Sequence, residues 1–298
     1  MTTKTAMIAI IGRANTGKST LTNKLTGDKV SIVTPKPQTT RNRIFGVYTY
    51  GDTQMVLLDT PGFHKSKTRL GDYMVGVVKE SVIDVDVIAL VVEPEDNIGK
   101  QEELLIEQIK RSGAPSVLVI NKIDTVRVDQ ILPIIERYSQ VHQFNAIIPI
   151  SARVGSGVSE LEEVFDSFSK PGPQLFPDGM STDQPEKQVI AELIREKLLI
   201  CLDKEIPHGT AVEITKFSER GDEDNPIIDI DATIYCDKTS HKGMIIGKNG
   251  AMLKKIGQYA REDIERFMGA KVFLQTWVKV KENWRDSQAM IRNFGYTK

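Results

Sequence analysis

The 298-residue sequence predicts an α/β domain, a mostly parallel sheet with helices on both faces, followed by a smaller α+β domain. Three observations carry this. Over residues 1–170, short and continuously apolar runs alternate with amphipathic segments, the pattern of parallel strands covered on both sides. Residues 169–186, SKPGPQLFPDGMSTDQPE, hold four prolines and two glycines and read as a linker. Beyond it the order is helix, strand, strand, helix, helix, strand. The expected boundaries are 1–170 for the first domain, 171–186 for the linker, 187–284 for the second domain and 285–298 for a C-terminal tail.

Each element follows from its residues. Strands are expected at AMIAII (6–11), RIFGVYTY (43–50), TQMVLLD (53–59), VIALVVE (87–93), SVLVIN (116–121) and NAIIPIS (145–151). Only Gly51-Asp52 separates the second from the third, so those two form an antiparallel hairpin. Helical periodicity marks 100–112, 128–141 and 159–168. Ser159 with Glu162 three residues on has capping-box spacing. The second domain is expected as helix 187–204, strands 211–218 and 227–236, a short helix running into a glycine loop (240–250), helix 251–267 and strand 271–281. Between its first two strands RGDEDNP (220–226) reads as an acidic surface turn.

Composition narrows the class. With 40% hydrophobic and 27% charged residues the chain is an ordinary globular sequence, which excludes disorder and collagen-like repeats. Its longest apolar runs, VLVI and VIALVV, are far shorter than the roughly 18 residues of a spanning helix. The opening MTTKTAMIAIIG has no apolar leader with a cleavage site, so no secretory signal is expected. Cys201 and Cys236 have no CxxC or histidine partners, and buried reduced thiols in a cytosolic protein are expected. The net charge of −1 hides a partition: Lys238–Lys298 holds 13 basic and 5 acidic residues, and Glu186–Asp237 holds 6 basic and 13 acidic. A large anion at the C-terminal end is the functional reading, and a solvated charged face is its alternative.

The chemistry begins after the first strand. Gly12-Arg13-Ala14-Asn15-Thr16-Gly17-Lys18-Ser19 matches GxxxxGK[ST]. Its glycines allow loop N–H groups to turn inward on phosphates, Lys18 can reach the β and γ oxygens, and the Ser19 hydroxyl can bind Mg²⁺. A helix starting at Lys18, Ser19 and Thr20 points its positive end at the same anion. Asp59-Thr60-Pro61-Gly62 ends a buried strand, placing Asp59 for Mg²⁺ and the Gly62 N–H for the γ-phosphate. Asn121-Lys122-Ile123-Asp124 ends another. The Asp124 carboxylate can accept from guanine N1–H and the 2-amino group together, a donor set adenine lacks. Lys122 can lie along the base and Asn121 can brace the loop, while a backbone N–H at Ser151-Ala152 can read guanine O6. These elements in this order imply GTP and GDP as ligands and GTP hydrolysis as the activity.

SIVTPKPQTTRNR (31–43) is a polar, basic loop in which Thr39 and Thr40 are candidate Mg²⁺ ligands, Thr40 favoured. With residues 62–70 it forms two segments that can order with triphosphate and relax after hydrolysis. Small regulatory GTPases carry a water-orienting glutamine after the DxxG glycine, where this chain has Phe63. His64 beside it reads as incidental. The catalytic set is therefore Lys18, Thr40 and the Gly62 backbone, with slow intrinsic hydrolysis expected. Asn15 is a candidate ligand for K⁺, which would accelerate it.

In the second domain Gly247-Lys248-Asn249-Gly250 is a GxxG loop between two helices, the device by which KH domains let backbone approach single-stranded phosphates. Helix–strand–strand–helix–helix–strand is the bacterial, type II order of that fold. Lys254, Lys255, Arg261 and Arg266 lie on or near the following helix. Met252, Ile256, Ile264 and Phe267 are expected on its core face. Trp277 and Trp284, in WVKVKENWR, are candidates for base stacking, with core packing an equal alternative for Trp277.

GRANTGKS, QTTRNR, DTPGF, NKID, SAR, HKGMIIGKNG and VKVKENWRD together resemble the Era family, bacterial Ras-like GTPases fused to a C-terminal KH domain, over essentially the whole chain. Ala14 and Thr16 stand where that family usually has proline and valine. The resemblance implies recognition of the 16S rRNA 3′ end, assistance to 30S ribosomal subunit maturation, a monomer, and a cytoplasmic protein associating peripherally with the inner membrane. Two alternatives stay open: a GTPase with a membrane-signalling or cell-cycle output, and an RNA-binding protein whose nucleotide site is structural.

Overall fold

The structure, a computed structural model, describes residues 3–203, 206–222 and 225–296. The chain divides into two compact units, the first ending at Asp183 and the second running from Gln184 onward and taking in Thr68–Leu70.

The first unit is built on β1 (Lys4–Ile11), α1 (Lys18–Thr26), β2 (Ile44–Tyr50), β3 (Thr53–Asp59), α2 (Arg69–Glu80), β4 (Val87–Val92), α3 (Lys100–Ser112), β5 (Ser116–Ile120), α4 (Ile131–Val141), β6 (Ala146–Pro149), α5 (Val158–Asp166) and β7 (Lys170–Pro171). Its sheet runs β2-β3-β1-β4-β5-β6, parallel except for β2, with the two residues of β7 pairing antiparallel to β1. Alternate residues of each strand feed two cores. Ile8, Ile10, Leu57, Ala89 and Val119 meet Leu21 and Leu25 of α1 and Leu161 and Phe165 of α5. Ala9, Ile11, Leu90 and Ile120 meet Val78 of α2, Leu105 and Ile109 of α3, and Ile134 and Tyr138 of α4. Burial on both faces explains the continuous apolar runs at the centre of these strands.

Several expectations are revised. Helix α2 lies where the sequence reading places no element, although Leu70, Met74, Val77 and Val78 are buried at helical spacing. The predicted capping box at Ser159 does not form. Gly157, at φ 72°, caps α5 instead and starts it at Val158, leaving Ser159 inside the first turn. The segment read as a linker is fastened to the first sheet: Val47 N–H donates to Ser181 O at 2.8 Å, and Gln54 Nε2 to Phe176 O at 2.8 Å.

The second unit comprises α6 (Glu186–Cys201), β8 (Thr210–Arg220), β9 (Ile227–Cys236), α7 (Thr239–Ile246), α8 (Ala251–Met268), β10 (Lys271–Val280) and α9 (Gln288–Asn293). The predicted helix end at Lys204, and Glu223 and Asp224 of the acidic turn, lie outside the described residues. Its sheet runs β10-β9-β8, with β9–β10 parallel and β8–β9 antiparallel. On α8 the buried face is Ile256, Ala260 and Ile264, whereas Phe267, expected in the core, is 41% exposed. The tail expected from 285 is part of the core. Trp284 is fully buried, donates its Nε1–H to Gly209 O at 2.9 Å and packs edge-on against Phe294, so it stacks on no base. Cys236 is buried but Cys201 only half-buried, and neither is in a disulfide. Among the described residues no helix is long and apolar enough to cross a membrane.

Trp284→Ala is expected to lower the stability of the second unit by about 3–5 kcal/mol, the usual cost of emptying a buried aromatic site. Chemical denaturation followed by far-UV circular dichroism measures it.

Candidate functional site

The C-terminal ends of β1, β3, β4 and β5 surround a cavity of about 520 Å³, lined by Ala14, Asn15, Gly17, Lys18, Ser19 and Thr20, by residues 32–35 and 38–40, and by Gly62, Glu93 and Lys122. The crevice at the carboxyl ends of strands, where order reverses on either side of β1, is where open α/β sheets bind ligands. The loop between β1 and α1 passes so close to β5 that a Cβ on Gly17, at φ +92°, would lie 2.2 Å from Asn121 Nδ2. Only glycine fits there. Thr16 is fully buried, with its hydroxyl donating to Arg13 O at 3.2 Å, so the departure from valine is satisfied internally.

Lys18 is 5% exposed, and its ammonium donates to Gly12 O at 3.2 Å and Arg13 O at 2.6 Å. Burial pulls its pKa down to about 8, against the opposing charges of Asp59 and Glu93. Asp59 is fully buried, and burial raises its carboxyl while hydrogen bonding to Ser19 and the charge of Lys18 oppose the rise. Its Oδ2 accepts from Ser31 Oγ at 2.8 Å, and its buried Oδ1 has no hydrogen-bond partner among the described residues. Ser19 Oγ lies 2.8 Å from Thr40 Oγ1. Two hydroxyls and a carboxylate with an unsatisfied oxygen are an all-oxygen donor set, the kind a hard cation such as Mg²⁺ accepts alongside substrate phosphates. No cluster of three or more His, Cys, Asp or Glu among the described residues offers a metal site made by protein alone. Thr39 also lines the cavity, but its hydroxyl is engaged in its own loop, donating to Lys36 O at 2.6 Å.

The DxxG segment is docked on the phosphate loop. Thr60 Oγ1 donates to Ile10 O at 2.7 Å and Phe63 N–H to Gly12 O at 3.0 Å, with buried Pro61 between them and Gly62 facing the cavity. The Phe63 ring packs against the core beneath the sheet, so it is not aimed at a water. His64 Nδ1 lies 2.9 Å from Gly62 O.

On the opposite side, Asn121 braces two loops: its Nδ2 donates to Thr16 O at 2.8 Å and its Oδ1 accepts from Ala152 N–H at 2.9 Å. Asp124 Oδ1 accepts from Ser151 Oγ at 2.7 Å and Oδ2 from Arg153 at 3.1 Å. These hold its carboxyl below the usual range, Ser151 first, so it stands ionised, with oxygens that only accept. Ile123 N–H donates to Ile150 O at 3.2 Å and joins the two loops.

One residue on this side, Glu93, is missed by sequence reasoning. Lys122 adopts φ +65°, a strained conformation for a lysine, and its ammonium donates to Asn15 O at 2.7 Å and to Glu93 Oε1. Glu93 Oε2 also lies 3.6 Å from Arg13, which pairs further with Glu95 and with buried Glu102. The signal was positional. Val92 of β4 registers with Ile120 of β5, so the next residues, Glu93 and Asn121, emerge side by side.

In the second unit, Gly250 at the end of the glycine loop, α8 and the edge strand β10 enclose a groove of about 480 Å³. It is lined by Gly250, Leu253, Lys254, Gly257, Gln258 and Arg261 on one side and Leu274 and Thr276 on the other. Gly247 is at φ +73°, where a Cβ would lie 2.7 Å from Met252 Cβ, while Lys248 and Asn249 are exposed at the loop's tip. Lys254 lines the groove. The Lys255 ammonium instead sits 5.7 Å above the Tyr259 ring. Trp277 is 44% exposed, and strand alternation puts it on the face of β10 opposite Leu274 and Thr276, outside the groove.

Known proteins match both units. A family model described as a 50S ribosome-binding GTPase matches residues 7–122, and a KH-domain model matches 205–285. The chain is 50% identical to GTPase Era of Ruminiclostridium cellulolyticum over 297 residues, covering 99% of this chain and 98% of that protein. It is 48% identical to GTPase Era of Caldanaerobacter subterraneus over 296 residues, covering 99% of both. Among solved structures, Era in complex with MgGDPNP and nucleotides 1506–1542 of 16S ribosomal RNA superposes with a TM-score of 0.94 at 37% identity, covering 99% of this chain and 100% of that one. An Aquifex aeolicus Era variant bound to GDP and aluminium fluoride gives 0.93 at 37% identity, with the same coverage.

Glu93→Gln is expected to weaken GTP affinity about tenfold with little change in kcat, because a charge-assisted bond to Lys122 is replaced by a neutral one. Nucleotide titration and steady-state kinetics separate the two.

Proposed function

Because this chain belongs to the Era family and is a GTPase, we propose that it is a GTP-gated RNA-binding factor that assists maturation of the 30S ribosomal subunit. GTP occupies the cavity of the first unit, and the 3′ end of 16S rRNA occupies the groove of the second. The observation that carries this reading is the gathering of Lys18, Ser19, Thr40 and Asp59 on one side of the phosphate loop and Asn121, Asp124 and Ala152 on the other. The RNA half is supported by the structurally similar Era captured with 16S rRNA nucleotides.

Asp124 accepts from guanine N1–H and the 2-amino group, the Ala152 N–H faces O6, and the Lys122 stem lies along the base. The loop N–H groups and the Lys18 ammonium hold the β- and γ-phosphates, with Lys18 exchanging its two carbonyl bonds for phosphate oxygens. Ser19, Thr40 and Asp59 would hold Mg²⁺, which supplies charge neutralisation across the β and γ oxygens. The Gly62 N–H donates to the γ-phosphate. Water attacks the γ-phosphorus, the bond to the β–γ bridging oxygen breaks, and GDP and phosphate leave. With Phe63 in the core, no side chain at that position orients the water, which accounts for slow intrinsic hydrolysis. Asn15 supports a K⁺ effect: its Nδ2 donates to Pro35 O at 2.8 Å, a bond that uses the amide nitrogen and not the carbonyl oxygen. Residues 31–43 and 62–70 order with GTP and relax after hydrolysis, and the groove's affinity for RNA follows. By linkage, RNA favours the GTP state as much as GTP favours RNA. This reading places a monomer in the cytoplasm on small-subunit particles. Inner-membrane association rests on resemblance alone and would be peripheral.

Affinity for a short single-stranded RNA matching the 16S 3′ end is expected to be higher with a non-hydrolysable GTP analogue than with GDP. It is expected to be lost on Lys248→Asp with Asn249→Asp, which turns the loop's charge against phosphate. Equal affinity in both nucleotide states would remove the gate. Hydrolysis is expected to run faster in K⁺ than in Na⁺ at equal ionic strength, and equal rates would remove the role of Asn15.

A further inference from the structure

Glycine inside a helix is destabilising relative to alanine, so its presence there needs a compensating use. Elsewhere in this chain the use is visible: a Cβ on Gly46 of β2 would lie 2.8 Å from Thr22 Cγ2, so α1 packs into the space. Gly257, in the middle of α8, has no such neighbour. A Cβ built on it meets nothing within 4 Å, and its backbone is ordinary right-handed helix. Neither packing nor conformation uses the missing side chain.

Its position does. Leu253 and Arg261, one turn before and one turn after, share its helix face and line the groove with it, as does Lys254, while Leu274 and Thr276 of β10 stand opposite. Gly257 is therefore a bare stretch of backbone in the groove floor. It lies between apolar groups suited to a base face and cationic groups suited to phosphate or a base acceptor edge. No acidic residue lines the groove.

We propose that Gly257 is a specificity-determining contact, where one nucleotide of the bound single strand lies flush against the α8 backbone between Leu253 and Arg261. The inference rests on the RNA reading of the groove. A side chain here lifts that nucleotide away from the helix by at least one carbon–carbon bond, about 1.5 Å, and breaks its contact with the groove floor.

The test uses the full-length protein, fluorescence anisotropy with the short 16S 3′-end RNA, and unfolding midpoints of Gly257→Ala, Gly257→Leu and the Lys248→Asp with Asn249→Asp variant. Gly257→Ala is expected to keep or raise the unfolding midpoint while weakening RNA binding severalfold. Gly257→Leu is expected to weaken it about tenfold or more, the scale of losing one stacked base. Wild-type affinity in Gly257→Leu, with binding lost in the loop variant, overturns the inference and leaves the RNA reading standing. A fall in unfolding midpoint in Gly257→Ala also overturns it, because the glycine would then be structural. If wild type does not bind the RNA, or the loop variant binds it unchanged, the RNA reading fails and this inference with it.

Discussion

The first unit is organised around one buried cation. Lys18 sits at the start of α1, almost wholly out of water, and among the described residues its ammonium donates to two carbonyls of its own loop. Neutral carbonyls compensate a desolvated ammonium poorly, which is why its pKa falls to about 8 despite Asp59 and Glu93 nearby. The fold tolerates this charge because the loop around it is held from outside. Asn121 ties the loop to β5, Phe63 ties it to the segment after β3, and Arg13 anchors it to Glu102 at the start of α3. The cavity is thus preorganised for an anion before one arrives, and in the function proposed above the phosphates of GTP supply the missing partner.

Sheet order explains why residues distant in sequence converge here. β1, β3, β4 and β5 all end at the same edge, so Gly12, Asp59, Glu93 and Asn121 emerge together although more than a hundred positions separate the first from the last. Glu93 shows what this adds. An acidic group beside a phosphate site is unfavourable for the anion, and its contact with Lys122 gives it a compensating use. Lys122 holds a left-handed backbone conformation and needs its ammonium fixed at the far end.

Much of this was legible in the sequence, for physical reasons that also mark the limits. Strands buried on both faces are apolar without interruption, so β1, β3, β4 and β5 declared themselves. The phosphate loop and the NKID segment are local, with spacing that encodes their geometry. What escaped depended on tertiary context. Gly157 displaced Ser159 as the cap of α5 because a left-handed glycine turn began the helix early. Trp284 lies among basic residues, and only the closing of α9 over it makes it core. Glu93 required knowledge of which strand lies beside which. Gly257 falls unmarked within the expected helix 251–267, and only the structure shows that it lines the groove with nothing packed against it.

The Lys18 charge is expected to cost the empty protein stability and to be offset by bound phosphate. The direct measurement is the unfolding midpoint of wild type and Lys18→Met, each with and without saturating GDP. Both carbonyls freed by the substitution keep a partner, Gly12 O from Phe63 N–H and Arg13 O from Thr16 Oγ1, so the variant tests the charge itself. Wild type should gain about 2.7 kcal/mol at a hundredfold excess over Kd. Lys18→Met should be more stable than wild type without nucleotide and gain nothing with it. A variant less stable than empty wild type, or one still stabilised by GDP, would contradict the account.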